Sequence, residues 1–301
     1  MMLSPQADGR LLIILQIDHS RVAGAMVAHW GNKDFAEPSP YESVTVATGG
    51  HDSAWWDWEI KPTLDRDGKV VDYSVTWDWE STDYYRSPDE LGRTWVDFTN
   101  RWIERLASRD PYAGFLVSMH HEGMVNGGFG YLPHMPDRTV DQPPAAAFAK
   151  RQQAFRAQLR EQARNGGALP PYFEDDAVLR NWKYVQMGDQ FAQILCNRHP
   201  FNSAAREKGA PAPSSGGAQG TPARTLKNAP TRPGQPDTTL SINVVDEVTG
   251  TVSPWPFDTD RLEFHIPARV LPRQRYERHD AFLRDYLKAD QITVTRVLRP
   301  A

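Results

Sequence analysis

Residues 49–59 of the chain read GGHDSAWWDWE, and we expect the fold to be organised around this stretch. His51 and Asp52 place an imidazole next to a carboxylate, and both groups are ordinary ligands of Zn, Fe, Mn and Ni. A His-Asp pair alone is more typical of an exposed helix start, with the acid in the first turn. Its meaning therefore depends on the other His and Asp residues of the chain.

Composition limits the classes of protein to which the chain can belong. Its 301 residues are 40% hydrophobic and 24% charged, which is typical of a globular domain. The net charge of −4 argues against nucleic acid or an anionic membrane as partner. A single cysteine, Cys196, excludes an intramolecular disulfide and favours a reducing compartment. The apolar run at 11–15 is too short for a signal peptide or a membrane span. We therefore expect a cytoplasmic protein that acts on a small molecule; nothing in the composition predicts the oligomeric state.

Hydrophobic periodicity predicts an α+β fold that is mainly α-helical. A short buried strand is expected at 11–17, with Asp18 capping a helix over 19–30. Further helices are expected at 88–108, 112–121, 145–164 and 175–197, with a loop over 123–144. From residue 239 the period changes to two, which predicts a C-terminal β-sheet.

Residues 202–237 differ in composition from the rest of the chain. They contain six prolines and five glycines but only one large aliphatic residue, Leu226, so they bury too little surface to offset their ordering entropy. We predict a flexible linker or loop here. It would join a helical body (1–201) that carries the metal site to a β-rich segment (238–301) packed on that body, in one domain overall.

Further candidates for chemistry lie on predicted helices. His19 falls in the first turn of the first helix, and His120 and His121 end a buried one. Asp189 falls on the apolar face of the last long helix, where an unpaired carboxylate is costly. It should therefore have a cationic partner, a hydrogen-bond network or a metal ion. The ordinary alternatives are an Asp satisfied by Arg or backbone, and for His120 a core histidine with one hydrogen bond.

The order His19, His51-Asp52, His120, Asp189 resembles the HD superfamily of metal-dependent hydrolases. In that superfamily a His, a His-Asp pair and a final Asp come from different helices and surround one ion. The resemblance implies an HD-like helical body in which His19, His51, Asp52 and Asp189 hold the ion. It also implies that the additional His120 goes with a second ion.

A closer resemblance covers nearly the whole chain. The chain resembles the uncharacterised, mostly bacterial domain-of-unknown-function family 3891. The stretches that carry the resemblance are 12–20 (LIILQIDHS), 28–31 (AHWG), 51–55 (HDSAW), 116–120 (LVSMH), 189–196 (DQFAQILC) and 254–257 (PWPF). Two departures are that His121 stands where a small residue is expected and that the insertion at 202–237 is longer than usual. The family implies no activity.

The first functional hypothesis is an HD-like hydrolase, for example a phosphohydrolase, acting on a small anionic metabolite. One or two divalent ions (Mn, Fe, Ni or Zn) would activate water, with Asp52 and His120 as catalytic residues. Asp52 could bridge two ions. The candidates for the substrate pocket are Trp55, Trp58, His121 and Lys183, and those for anion clamps are Arg21, Lys61 and Lys183.

Two alternatives remain open from the sequence. A di-iron oxygenase of the HD type needs about six protein ligands, of which His120 and His121 would supply the last two. A non-catalytic protein could instead bind a small ligand in a pocket of Trp55, Trp56 and Trp58 beside a buried His/Asp network. Metal content separates this last alternative from the other two.

Overall fold

The computed structural model describes residues 1–6, 8–72, 88–128, 137–196 and 224–301, and it shows an α+β fold. The helices are α1 (Gln16–Ala28), α2 (Tyr41–Gly50), α3 (Trp56–Glu59), α4 (Pro88–Ala107), α5 (Pro111–Val125), α6 (Pro143–Arg164), α7 (Asp175–Cys196) and α8 (His279–Lys288). The strands are β1 (Met2–Pro5), β2 (Arg10–Ile14), β3 (Arg224–Ala229), β4 (Thr238–Val244), β5 (Thr249–Ser253), β6 (Leu262–Pro272) and β7 (Gln291–Pro300).

Helices α1, α2, α5 and α7 pack against one another and form the centre of the helical body. Helix α5 is buried along almost its whole length, which fits its apolar composition on all sides. It begins at Asp110, whose side chain accepts hydrogen bonds from the backbone N–H groups of Tyr112 and Ala113 at 3.0 and 2.9 Å. Pro111 occupies the first turn, where no N–H is needed. These four helices carry the candidate site.

Glycines allow α1, α2 and α7 to approach closely. A Cβ atom on Gly24 of α1 would lie 2.5 Å from the Cα atom of Gly49 in α2. A Cβ atom on Gly188 of α7 would lie 2.4 Å from Cγ2 of Thr48 and 3.1 Å from the carbonyl oxygen of Ala23. Since real Cβ atoms do not make such contacts, larger residues at Gly24 or Gly188 would force the helices apart.

The seven strands form one sheet in the order β1-β2-β6-β7-β5-β4-β3. All neighbours are antiparallel except β5 and β7, which are parallel. Along β6, Leu262, Phe264 and Ile266 are buried and alternate with exposed residues, as the period of two predicts. The prediction of a C-terminal sheet is confirmed, and two N-terminal strands join it.

Strand β2 is buried on both faces. Leu12 and Ile14 belong to the main core with the helical body, while Leu11 and Ile13 belong to a smaller apolar cluster with α8. A strand covered on both sides needs apolar residues at consecutive positions. This explains the apolar run at 11–15.

Some predicted boundaries are wrong. Helix α1 begins at Gln16, and Asp18 lies in its first turn, where it pairs with Arg21 at 3.0 Å instead of capping the helix. Helix α5 continues to Val125, which shortens the predicted loop, and the sequence pattern did not predict α2 as a helix. Short apolar stretches are ambiguous in sequence, and tertiary packing decides them.

The predicted linker is also wrong in part, because residues 224–229 form β3. Leu226 and Ala229 are buried, and the strand pairs with β4 through Leu226 and Leu240. Ladder hydrogen bonds and two buried side chains compensate for a composition poor in apolar residues. Residues 202–223 of this segment and residues 129–136 of the predicted loop at 123–144 lie outside the described residues.

The contact between α1 and α2 gives an asymmetric prediction for two neighbouring glycines. We expect Gly24→Ala to lower the free energy of unfolding by about 1–3 kcal/mol, because its Cβ would overlap the backbone of Gly49. For Gly49→Ala the nearest atom is the Cα of Gly24 at 3.5 Å, an ordinary contact. The gain in helix propensity should then leave stability unchanged or raise it by up to about 1 kcal/mol. Urea unfolding followed by circular dichroism measures both, and equal destabilisation by the two variants would contradict the packing.

Candidate metal centre

Four side chains from three helical segments converge inside the helical body. His19 lies in the first turn of α1, His51 follows the last residue of α2, Asp52 is next to it, and Asp189 lies in α7. Each offers a ligand atom, and these atoms all lie within 4.8 Å of one another. None of the four residues is more than 5% exposed. A buried group of two imidazoles and two carboxylates could hold a metal ion.

The ring of His51 is oriented by the backbone of α2. Its Nδ1 lies 2.7 Å from the carbonyl oxygen of Thr48, and because a carbonyl can only accept, Nδ1 carries the proton. The other nitrogen, Nε2, lies 3.5 Å from Oδ2 of Asp52 and 3.5 Å from Oδ1 of Asp189. Nε2 is buried and has no hydrogen-bond partner in the described chain. Nε2 thus faces two carboxylate oxygens.

In His19, too, one ring nitrogen contacts a backbone carbonyl and the other faces a carboxylate, but here Nε2 contacts the carbonyl and Nδ1 faces the carboxylate. Its Nε2 lies 3.3 Å from the backbone carbonyl oxygen of Asp189 and 3.1 Å from Oδ1 of the same residue, so Nε2 is the donor. Nδ1 lies 3.6 Å from Oδ2 of Asp52, too far for a hydrogen bond, and is buried without a donor or acceptor in the described residues. One ring nitrogen of each histidine therefore lies 3.5–3.6 Å from Oδ2 of Asp52.

These contacts require a positive charge among the four residues. Burial alone lowers the pKa of His51, but the carboxylates of Asp52 and Asp189 outweigh it and raise that pKa to about 9. Burial raises the pKa of Asp189, whereas hydrogen bonds from His19 and His51 hold it well below its usual range. A proton on His51 or a cation between the residues satisfies the same lone pairs.

Neither carboxylate pairs with Lys or Arg within the described ranges. The sequence left open an Asp189 satisfied by an arginine, and its observed ionic neighbours are His19 and His51 instead. Amide groups complete its surroundings: Nε2 of Gln193 donates to Oδ1 of Asp189 at 3.4 Å. Metal binding would require both imidazoles to be deprotonated, and the two carboxylates would then balance the charge of a divalent ion.

Gln16 and Ser20 support Asp52, and the sequence analysis missed both. Nε2 of Gln16 donates to Oδ2 of Asp52 at 3.2 Å, and the backbone N–H of Asp52 donates to Oγ of Ser20 at 3.0 Å. The backbone N–H of Gln16 in turn donates to Oε1 of Glu59 at 2.7 Å. Helical spacing could have identified Gln193, four residues after Asp189, whereas Gln16 and Ser20 face Asp52 only through the tertiary fold.

His120 lies beside the four residues and does not belong to the group itself. Its ring centroid is 4.9 Å from that of His51, and the residue is 1% exposed. Burial and the nearby His51 cation lower its pKa well below the ordinary value, so its imidazole is neutral. His120 is therefore buried, as expected of a core histidine. It also lies beside His51, close enough to exchange a proton with a group bound at the site.

His121 supports the backbone of His51. Its Nε2 donates to the carbonyl oxygen of His51 at 2.8 Å, and its ring packs edge-to-face on Trp95 at 5.7 Å between centroids. The residue is fully buried. The predicted place in a substrate pocket is therefore wrong: the ring is enclosed by protein and its donor is used.

The remaining predicted pocket residues lie elsewhere. Trp55 is in the core and packs on Phe98 at 5.3 Å between ring centroids, and Trp58 is also buried. Lys183 pairs with Asp237, at the start of β4, which satisfies its charge at the rim of the sheet. The structure therefore brings together His19, His51, Asp52, His120 and Asp189, and it separates the tryptophans and Lys183 from them.

The hydrogen bond from His121 is expected to matter for metal affinity. His121→Phe retains a ring against Trp95 but leaves the carbonyl of His51 without its donor, so affinity should fall roughly 10–100-fold. Competition with a chromophoric chelator measures the affinity. The matched control is His29→Phe, since His29 is exposed and pairs only with Asp258. Affinity unchanged in His121→Phe would show that this bond does not position His51.

Comparisons with known proteins place the chain in a family without assigning a function. A model of the protein family described as "Protein of unknown function (DUF3891)" matches residues 1–273. No curated protein and no solved structure matches the chain. Among the described residues, no helix has both the length and the apolar character needed to cross a membrane.

Proposed function

The chain belongs to the DUF3891 family, and we propose that it is a metalloenzyme with one divalent transition-metal ion in the group of His19, His51, Asp52 and Asp189. One observation carries this proposal. Nδ1 of His19 and Nε2 of His51 lie 3.5–3.6 Å from carboxylate oxygens in a buried group that has no Lys or Arg partner among the described residues. Such an arrangement is repulsive unless a cation lies within it.

The ligand types limit the choice of metal. Two imidazoles and two carboxylates suit Zn, Fe, Mn or Ni, whereas Ca and Mg prefer oxygen ligands alone. The single cysteine, Cys196, is buried in the apolar core and is not part of the group. We therefore propose a transition metal rather than an alkaline-earth ion.

We further propose an HD-like hydrolase that acts on a small anionic metabolite, with phosphate esters as the first class to test. The order of His19, His51-Asp52 and Asp189 on separate helices supports this assignment. A divalent ion there would polarise a water molecule for attack. His120 is neutral and lies next to His51, so it can accept a proton from that water or donate one to the leaving group.

The oxygenase alternative has less support from the geometry. It requires about six protein ligands, and His121 would have to be one of them. Its Nε2 already donates to the carbonyl of His51, and its ring lies against Trp95. The residues that converge therefore favour hydrolysis over oxygen chemistry.

Metal content tests the first step of the proposal. Protein purified without a His tag should contain a near-stoichiometric transition metal by inductively coupled plasma mass spectrometry. His51→Ala and Asp189→Ala should lose it, because each removes a ligand atom from the group. Asp258→Ala is the matched control, since Asp258 is exposed and pairs with His29. A wild-type protein that neither contains nor takes up any of the four metals would leave a non-catalytic His/Asp network as the function.

A second test separates catalysis from metal binding. In a screen of phosphomonoesters and phosphodiesters, His120→Asn should retain its metal but lower kcat roughly 10²–10⁴-fold, the usual contribution of a proton-transfer group. Asp52→Asn should lose both metal and activity. If His120→Asn also loses the metal, His120 is a ligand; if metal-loaded wild-type protein hydrolyses no member of either class, the phosphohydrolase assignment is wrong.

A further inference from the structure

The structure also contains a cavity outside the metal group. It has a volume of about 530 Å³ and is enclosed by the start of α1, by α3 and α8, and by β2 and β6. We call it the α8 cavity. Its lining is mainly apolar and includes Ile13, Leu15, Ile17, Trp56, Ile60 and Tyr286. None of the four residues of the metal group lines it. Its size and apolar walls are those of a small-molecule site.

Arg269 provides a cationic group at this cavity. One of its terminal nitrogens donates to the backbone carbonyls of Tyr286 and Ala289, at 3.4 and 3.1 Å, and its guanidinium lies 5.2 Å from the centroid of the Tyr286 ring. In the portion of the chain that the structure describes, no carboxylate lies within ion-pair distance of it. The two carbonyls lie at the C-terminal end of α8, so the helix dipole holds the guanidinium in place but offsets only part of its charge.

The two carboxylates of the lining are already occupied or enclosed. Asp18 pairs with Arg21 at 3.0 Å. Glu59 accepts the backbone N–H of Gln16 through Oε1, and its side chain has no exposed surface. A ligand in the cavity therefore meets apolar walls and the only partly offset charge of Arg269. This combination selects an anion with an apolar body over a cation or a neutral polar molecule.

We propose that the α8 cavity binds a small organic carboxylate with an apolar body, such as an alkyl or aryl carboxylate. The carboxylate pairs with the guanidinium of Arg269, and the apolar body lies on Ile13 and Ile17. Trp56 and Leu287 border the cavity with 47% and 67% of their surface exposed, and a ligand would cover part of this apolar surface. The site does not depend on the metal, since no metal-group residue contributes to it.

Three ligands with the same eight-carbon body test the choice of charge. Octanoate, octanol and octylammonium are titrated into the 301-residue protein below their micellar concentrations, with binding measured by calorimetry. We expect octanoate to bind with one site per chain and roughly tenfold more tightly than octylammonium. Equal binding of all three, or tighter binding of octylammonium, would overturn the proposal. Chelator-treated protein should give the same result, which separates this site from the metal centre.

Variants locate the site. Arg269→Gln keeps a donor for the carbonyls of α8 but removes the charge, and should weaken octanoate roughly tenfold. Leu287→Glu and Leu287→Lys change only an exposed residue at the edge and should weaken and strengthen octanoate binding, respectively, by about threefold. Leu179→Glu, also exposed but on α7, should have no effect. If Arg269→Gln fails to fold, the two Leu287 variants test the proposal by themselves. Equal octanoate affinities of Leu287→Glu and Leu287→Lys would exclude this cavity as the binding site.

Discussion

The candidate site depends on how closely three helices can approach. Gly24, Gly49 and Gly188 replace side chains with hydrogen atoms where α1, α2 and α7 meet, and the carbonyl of Ala23 and the methyl group of Thr48 fill the remaining space. His19 precedes Gly24 on α1, and Asp189 directly follows Gly188 on α7. A residue larger than glycine at Gly24 or Gly188 would force the helices apart and increase the distances among the four ligand atoms. The four ligand atoms can therefore converge only because the backbones of these helices are in contact.

The polar interior imposes a second constraint. Two carboxylates are buried here with two imidazoles and without Lys or Arg among the described neighbours. Because buried negative charge is costly, the folded protein needs either a proton on an imidazole or a metal ion to balance it. Hydrogen bonds from Gln16 and Gln193 orient the carboxylates of Asp52 and Asp189. Oγ of Ser20 accepts the backbone N–H of Asp52, and His121 donates to the backbone carbonyl of His51. These buried polar side chains thus orient the four residues of the metal group.

The sequence predicted more of the site than of its surroundings. Asp189 lies on a long periodic helix, and helical spacing alone is enough to place it on a core face. The supporting contacts could not be predicted in this way, because Gln16 and His121 reach Asp52 and His51 only across helix interfaces. Strand β1, helix α2 and strand β3 were missed for a related reason. Each is short, and packing or pairing with a distant segment determines its conformation. The α8 cavity likewise arises from elements that are far apart in the chain.

The position of β7 has a consequence for the synthesis of the protein. This strand is the last along the chain, yet it lies in the middle of the sheet between β6 and β5. As the polypeptide emerges from a ribosome, β1 and β2 are made first and must wait for β6, while β5 cannot join them until β7 has appeared. The helices that bear the histidines are complete much earlier. Until β6 and α8 have been synthesised, the face of β2 that carries Leu11 and Ile13 therefore lacks most of the residues that cover it in the folded protein.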